Sequence, residues 1–236
     1  MIILTTAFNC EKYIDICISS IKSQSFKDFT CYITDDLSTD GTVDKVKKII
    51  EGDDRFVLIE NKNKLYQPGN YDNIIRGLNI NDEEICVEVD GDDWLPNKDV
   101  FLKINDVYNQ EDIWITSGSF RYSNGRLGFS KPPINFDNIR NEAFTLSHLR
   151  TWKSWLWKKI LPEDLKDEDG NYWGVAGDLS FMYPMVEMSG QNHFKFLTDI
   201  NYVYNEENPL NDHKVNYQNV VKSVRKLRLK PKYSKI

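Results

Sequence analysis

Four short apolar runs, each followed by a stretch of helical period, constrain this chain more than any other feature. Residues 2–7, 29–34, 56–60 and 85–89 read as strands. After the first, Ile14, Cys17, Ile18 and Ile21 keep the spacing of one helix face. Val43, Val46, Ile49 and Ile50 do so after the turn Asp40-Gly41-Thr42, and Ile74, Ile75 and Leu78 after Pro68-Gly69. Phe101, Ile104, Val107 and Tyr108 line a fourth helix beyond Pro96. Strict alternation of strand and helix, with right-handed crossovers, gives an α/β fold with a doubly wound, mostly parallel sheet. The regularity then fades. Residues 113–120 read as a strand, 121–141 as irregular chain rich in Gly, Pro, Ser and Asn, and 147–160 as one helix carrying Trp152, Trp155 and Trp157. A helix over 181–188 and a strand over 196–204 complete a mixed α+β second half.

The strands end in acids. Asp35-Asp36 follows the second, and the alternation Val87-Glu88-Val89 breaks into Asp90-Gly91-Asp92-Asp93-Trp94 after the fourth. In a parallel sheet these segments reach the same carboxyl edge as Thr6 and Phe8 from the first strand, where open α/β sheets hold ligands. Crowded carboxylates call for a cation, and a divalent metal with hard oxygen ligands meets that need. The other reading of Asp90 to Asp93 is an acidic turn capping the next helix.

Net charge is −6, but residues 222–236 hold Lys222, Arg225, Lys226, Arg228, Lys230, Lys232 and Lys235 and no acid, so residues 1–221 carry −13 by difference. An acidic body with a basic tail leaves three readings of the tail: packing on the body, contact with an anionic membrane face, or contact with nucleic-acid phosphates. Apolar content of 40% and aromatic content of 13% indicate an ordered globular chain. No apolar run approaches a bilayer span, and the opening Met1-Ile2-Ile3-Leu4-Thr5-Thr6 lacks a basic leader segment. Cys10, Cys17, Cys31 and Cys86 show no metal-finger spacing, which suits reduced thiols and a cytoplasmic protein.

Three segments together resemble the family-2 glycosyltransferases of the GT-A fold. Thr5-Thr6-Ala7-Phe8-Asn9 with helix 11–24 and Ser25-Phe26-Lys27-Asp28-Phe29 resembles that family's first strand, helix and turn. Asp35-Asp36-Leu37-Ser38-Thr39-Asp40-Gly41-Thr42 is similar to its D-D-x-S-x-D-x-T signature, and Asp90-Gly91-Asp92-Asp93 to its D-x-D metal motif. The family tends to a small residue or Gly where Leu37 stands.

The resemblance implies a metal-dependent, inverting transferase with Mn²⁺ or Mg²⁺ as cofactor and a nucleotide-sugar donor, a UDP-sugar first. On that pattern Thr6 and Phe8 flank the base, and Asp36 bonds the uracil edge. Asp90 and Asp92 meet ribose and metal, and Asp93 shares the metal with Asp92. Trp94 and Trp173, beside the acidic motifs, are candidates for stacking on sugar or base. Gly177-Asp178-Leu179 matches the family's catalytic base; Asp178 is otherwise an ordinary helix cap. Ser147-His148-Leu149-Arg150-Thr151 resembles a segment under the acceptor site, where His148 either reaches the diphosphate or metal or is structural. His213 sits where some relatives carry a flexible contacting loop.

These roles divide the chain into a nucleotide-sugar half (1–95), an acceptor and catalytic half (96–205) and a basic tail (206–236). The acceptor expected is a glycan or lipid-linked glycan. DNA bearing hydroxymethylated bases is a second acceptor class, and a non-catalytic nucleotide-sugar binder a third reading. A nucleotidyltransferase is disfavoured because Thr6-Ala7-Phe8-Asn9 is no Gly-rich phosphate cradle.

Overall fold

The computed structural model describes the backbone of residues 1–236 and every side chain except those of Asp212 and His213. Its centre is a seven-stranded sheet in the order β3-β2-β1-β4-β6-β5-β7. β1 (Ile2–Ala7), β2 (Thr30–Asp35), β3 (Phe56–Glu60) and β4 (Ile85–Glu88) are parallel, as the alternation required. β1 neighbours both β2 and β4, so the strand order reverses beside it, which is where an open sheet leaves a crevice. β5 (Ile115–Tyr122) and β7 (Phe194–Tyr204) pair in parallel, with register shifts near Ser119. β6 (Thr151–Lys153) runs antiparallel to both of its neighbours, β4 and β5.

Side chains on successive residues of β1 separate into two cores, the two-residue period of a strand buried on both faces. Ile3 and Ala7 join α1 (Ile14–Lys22), α2 (Thr42–Ile50) and α4 (Val100–Gln110) through Ile14, Ile18, Val46 and Phe101. Ile2 and Leu4 join α3 (Tyr66–Ile75), α5 (Ser154–Lys158), α6 (Gly177–Ser189) and α8 (Tyr217–Leu229) through Tyr71, Trp157, Phe181 and Leu227. A four-residue helix α7 (Asp212–Val215) precedes α8.

Two expectations are corrected. Residues 147–160 are not one helix: Thr151–Lys153 forms β6, and only Ser154–Lys158 is helical. A gap between β4 and β5 needs a strand to satisfy both backbone edges, and that demand outweighs the helical spacing of the tryptophans. Trp152 and Trp157 are fully buried core, while Trp155 is only partly buried. Secondly, α3 starts before Pro68-Gly69, which lie in its first turn, where a missing proline N–H has no helical partner to lose. The irregular 121–141 stretch includes a 3₁₀ segment, Phe136–Asn141.

The tail packs on the body. Arg140 donates to the Leu227 carbonyl at 2.9 Å, Lys230 pairs with Asp164 at 3.1 Å, and the Tyr233 hydroxyl donates to Asp164 at 2.7 Å. Among the described residues no helix is long and apolar enough to cross a membrane.

Candidate active site

The ends of β1, β2 and β4 meet at one rim, and a glycine permits the approach. A Cβ on Gly91 would lie 2.9 Å from the Thr6 carbonyl oxygen, so only glycine lets this loop cross the end of β1. Asp36, 2% exposed, follows β2 and turns its carboxylate to the loop before α3. Its oxygens accept from Asn61 Nδ2 (2.8 Å) and from the backbone N–H of Leu65 (2.9 Å) and Tyr66 (3.0 Å). The next residue, Leu37, has φ +69°, a left-handed conformation costing a non-glycine residue about 1–2 kcal/mol. That is the physical reason for a small residue or glycine at this point of the signature.

Beyond Asp36 the rim continues without a break. Gln67 Nε2 donates to Asp90 Oδ1 and to Glu88 Oε1, both at 3.0 Å. Glu88 Oε1 also accepts from Arg150 Nη1 at 2.6 Å, and Arg150 Nη2 donates to Asp178 Oδ2 at 2.6 Å. Thus Asp36, the start of α3, Asp90, Glu88, Arg150 and Asp178 form one connected polar path, though sequence separates its ends by more than a hundred residues. Asp178 stands at the start of α6, its other oxygen bonded to the Leu179 N–H at 3.1 Å. Its side chain is 21% exposed, the most open group of the Glu88–Arg150–Asp178 chain.

Burial and like charge raise several carboxylates of this rim despite their hydrogen bonds. Burial pushes Glu88 up to about 7, with Arg150 pulling it down and Asp178 adding to the rise. Asp90 is raised well above the carboxylate range by burial and by the charges of Glu88 and Asp92. Asp93 is raised by burial and by Asp92 and Asp90. His148 is pushed well below its usual value by burial and the Arg150 charge, so it is neutral and can donate a lone pair. Its ring stacks on Tyr202 with centroids 4.4 Å apart.

Glu88, Asp90 and His148 offer ligand atoms within 4.8 Å of one another. Glu88 Oε2 and His148 Nδ1 are buried without a hydrogen-bond partner among the described residues. Excess buried carboxylate, a neutral imidazole and orphaned donor atoms fit a divalent cation of the Mn²⁺ or Mg²⁺ type.

The remaining expected residues fall as follows. Asp92 Oδ2 accepts from Asn208 Nδ2 at 2.6 Å, and Asp93 Oδ1 from the Asn205 N–H at 2.7 Å. Both are therefore engaged by the loop after β7, and neither belongs to the three-donor group. Thr6 Oγ1 accepts weakly from Asn70 at 3.4 Å. Phe8 is 42% exposed, with Lys64 Nζ 3.0 Å over its ring. Trp94 bridges to Val203 by a reciprocal pair of backbone bonds. Trp173 is 5% exposed and belongs to the core cluster under α6. His213 lies outside the described residues.

Sequence reasoning missed Glu88, Gln67, Arg150, Tyr202 and Asn208. Glu88 had a signal, a charge at an interior position of an apolar strand, which must be paired to be tolerated. The other four carry none; only the fold brings them to the rim.

The model of glycosyl transferase family 2 matches residues 2–174. The chain belongs to this family. Curated relatives of this family-2 chain include an uncharacterized glycosyltransferase of Haemophilus influenzae, 30% identical over 109 residues, 44% of this chain and 33% of that protein. Another is a GalNAc(5)-diNAcBac-PP-undecaprenol beta-1,3-glucosyltransferase of Campylobacter jejuni, 32% identical over 93 residues, 39% of this chain and 29% of that protein. The matches thus span a third or less of these relatives' own length. Among solved structures, S. aureus TarS 1-349 in complex with UDP-GlcNAc superposes with TM-score 0.67 at 19% identity, covering 96% of this chain and 65% of that one. Glucosyl-3-phosphoglycerate synthase from Mycobacterium tuberculosis, in complex with Mn²⁺ and UDP, gives TM-score 0.62 at 15% identity over 98% of this chain and 80% of that one. At such identities the likeness establishes the GT-A fold.

Proposed function

We propose that this family-2 chain is a metal-dependent, inverting glycosyltransferase that moves a sugar from a UDP-sugar to a hydroxyl of a glycan or lipid-linked glycan. The observation that supports the reading is the continuous polar path that joins Asp36 to the partly exposed Asp178 along one rim. The UDP and UDP-sugar complexes of the superposed structures, and the lipid-linked acceptor in the name of the Campylobacter jejuni relative, support donor and acceptor class.

Thr6, Phe8 and Asp36 border the nucleoside. Glu88, Asp90 and His148 would hold a divalent cation, Mn²⁺ first, with Asp92 and Asp93 close by. The cation's contribution is to offset the charge that grows on the departing diphosphate. Asp178 takes the acceptor hydroxyl's proton as the new oxygen–carbon bond forms at the anomeric carbon and the bond to the diphosphate breaks. Arg150 keeps that carboxylate aimed and is itself anchored to Glu88 and to the Leu146 carbonyl.

The reading is tested by incubating the protein with UDP-sugars and Mn²⁺ and assaying UDP release. Slow, manganese-dependent release is expected even without acceptor. Absence of both release and UDP binding would leave only the fold. The nucleic-acid acceptor loses its main motive, since Lys226, Arg228, Lys230 and Lys232 of the tail bond to groups of the body.

A further inference from the structure

A cavity of about 950 Å³ lies between the loop before α3, the segment leading into α6, and α8. That volume is at the upper end of the roughly 300–1,000 Å³ typical of small-molecule sites. Its lining contains no carboxylate of the rim, yet it adjoins that rim at both ends. Lys64, Leu65 and Tyr66 are the residues bonded to Asp36, and Trp173, Gly174 and Val175 lead directly to Asp178. Tyr66 packs so closely on Gly174 that a Cβ there would lie 3.0 Å from its ring.

The wall contributed by α8 is polar, although the same helix packs Val224 and Leu227 on the core. Asn216, Asn219, Lys222, Ser223 and Lys226 recur at helical spacing and face the cavity, while Tyr217 and Val221 are left 66% and 52% exposed. The side chains of Asn171, Asn219, Lys222 and Ser223 have no hydrogen bond or ion pair among the described residues. The buried Trp173 indole N–H, also in the lining, is likewise unpartnered there. Of the other charges, Lys226 is paired with Glu168, Lys64 with Asp36, and Asp167 is occupied by the N–H groups of its own turn.

Unused amide and hydroxyl groups beside the rings of Tyr66 and Tyr172 are the chemistry that recognises a sugar, and an unpaired lysine adds preference for an anion. We propose that this cavity is the acceptor site of the chain and takes an oligosaccharide carrying a negatively charged group, with Lys222 facing the charge and α8 forming the outer wall. The inference rests on the transferase reading above and makes the basic tail part of the substrate site.

Calorimetric titration of the intact chain with maltotriose, trigalacturonate and maltotriose 1-phosphate tests it, with UDP plus Mn²⁺ titrated in parallel. Both anionic sugars are expected to bind at least about tenfold more tightly than maltotriose, and Lys222→Glu to remove that margin. The two anionic arms distinguish a carboxylate source from a phosphate source. Hydrogen exchange on the wild-type chain, which needs no variant, should slow in 167–175 and 216–226 when the anionic sugar is bound. Ser223→Trp, which places an indole in the wall that the sugar would occupy, should weaken binding while the far-ultraviolet spectrum is retained. Equal affinity for neutral and anionic sugars overturns the charge assignment, and protection elsewhere overturns the location. UDP binding without any trisaccharide binding overturns this inference and leaves the transferase reading standing. Failure of UDP to bind overturns that reading first.

Discussion

At the rim made by β1, β2 and β4, Asp36, Asp90, Asp92 and Asp178 are each held by a neighbouring donor, whereas the cavity wall of α8 carries Asn219, Lys222 and Ser223 with none among the described residues. The two regions lie on adjoining segments of one molecule. Buried charge is costly unless paired, so the rim is preorganised by its own network before any ligand arrives. The open wall sits beside solvent, where water can satisfy its polar groups until a ligand replaces it. On the proposed reading, the first region performs the chemistry and the second recognises the acceptor.

The sharpest way to break this contrast is at the residue where rim and cavity meet. Asp178→Asn keeps the shape and the hydrogen bond accepted from Arg150 but removes the base, so transfer should fall by about 10²- to 10⁴-fold. UDP binding with Mn²⁺ should stay within about twofold, because the amide still accepts from Arg150 and leaves the Arg150–Glu88 pair in place. Steady-state assays with parallel UDP titration decide it; unchanged turnover would move the base elsewhere.

Arg150→Ala removes the one cation shared by Glu88 and Asp178. Breaking a buried pair costs about 3–5 kcal/mol, so urea unfolding should shift by that amount at neutral pH. A change no larger than a surface substitution would show that the rim is not one unit. Asn208→Ala frees Asp92 from its donor and should cost about 1.5–3 kcal/mol, since a bond to a carboxylate is lost. The same variant sharpens the metal assignment, because weaker Mn²⁺ binding would place Asp92 nearer the ion than Glu88, Asp90 and His148 alone suggest.

The smallest effect concerns the thiols beneath the rim. All four cysteines are free and buried, and burial pushes Cys10 and Cys31 up to about 12. Only the thiolate reacts, so a thiol reagent at pH 8 should label none of them in the native state and all in guanidinium. The sign for stability follows: below the ordinary thiol value both states are protonated, and above it the unfolded chain ionises first. Stability should therefore decline as pH rises through that range, measured by urea midpoints.

Much of the first half was legible because its demands are local. Alternating two-residue and helical periods placed β1, β3, α1 and α2, and the acids at strand ends follow once the strands are parallel. Asp36, Asp90 and Asp178 could be named from motif and position. Arg150 and Gln67 could not, since an arginine in a loop and a glutamine in a helical turn look like solvated residues. Trp173 was named for its acidic neighbours, and its ring is largely buried.

Residue order alone determined that this chain folds as a doubly wound sheet with acids at its carboxyl edge, because hydrophobic period and crossover handedness leave few alternatives. Tertiary structure decided that 151–153 becomes a strand, that Glu88, Asp90 and His148 gather within 4.8 Å, and that α8 turns polar side chains toward a cavity. These outcomes depend on partners distant in sequence, through backbone edges that need pairing and charges that need company, and no local window contains them.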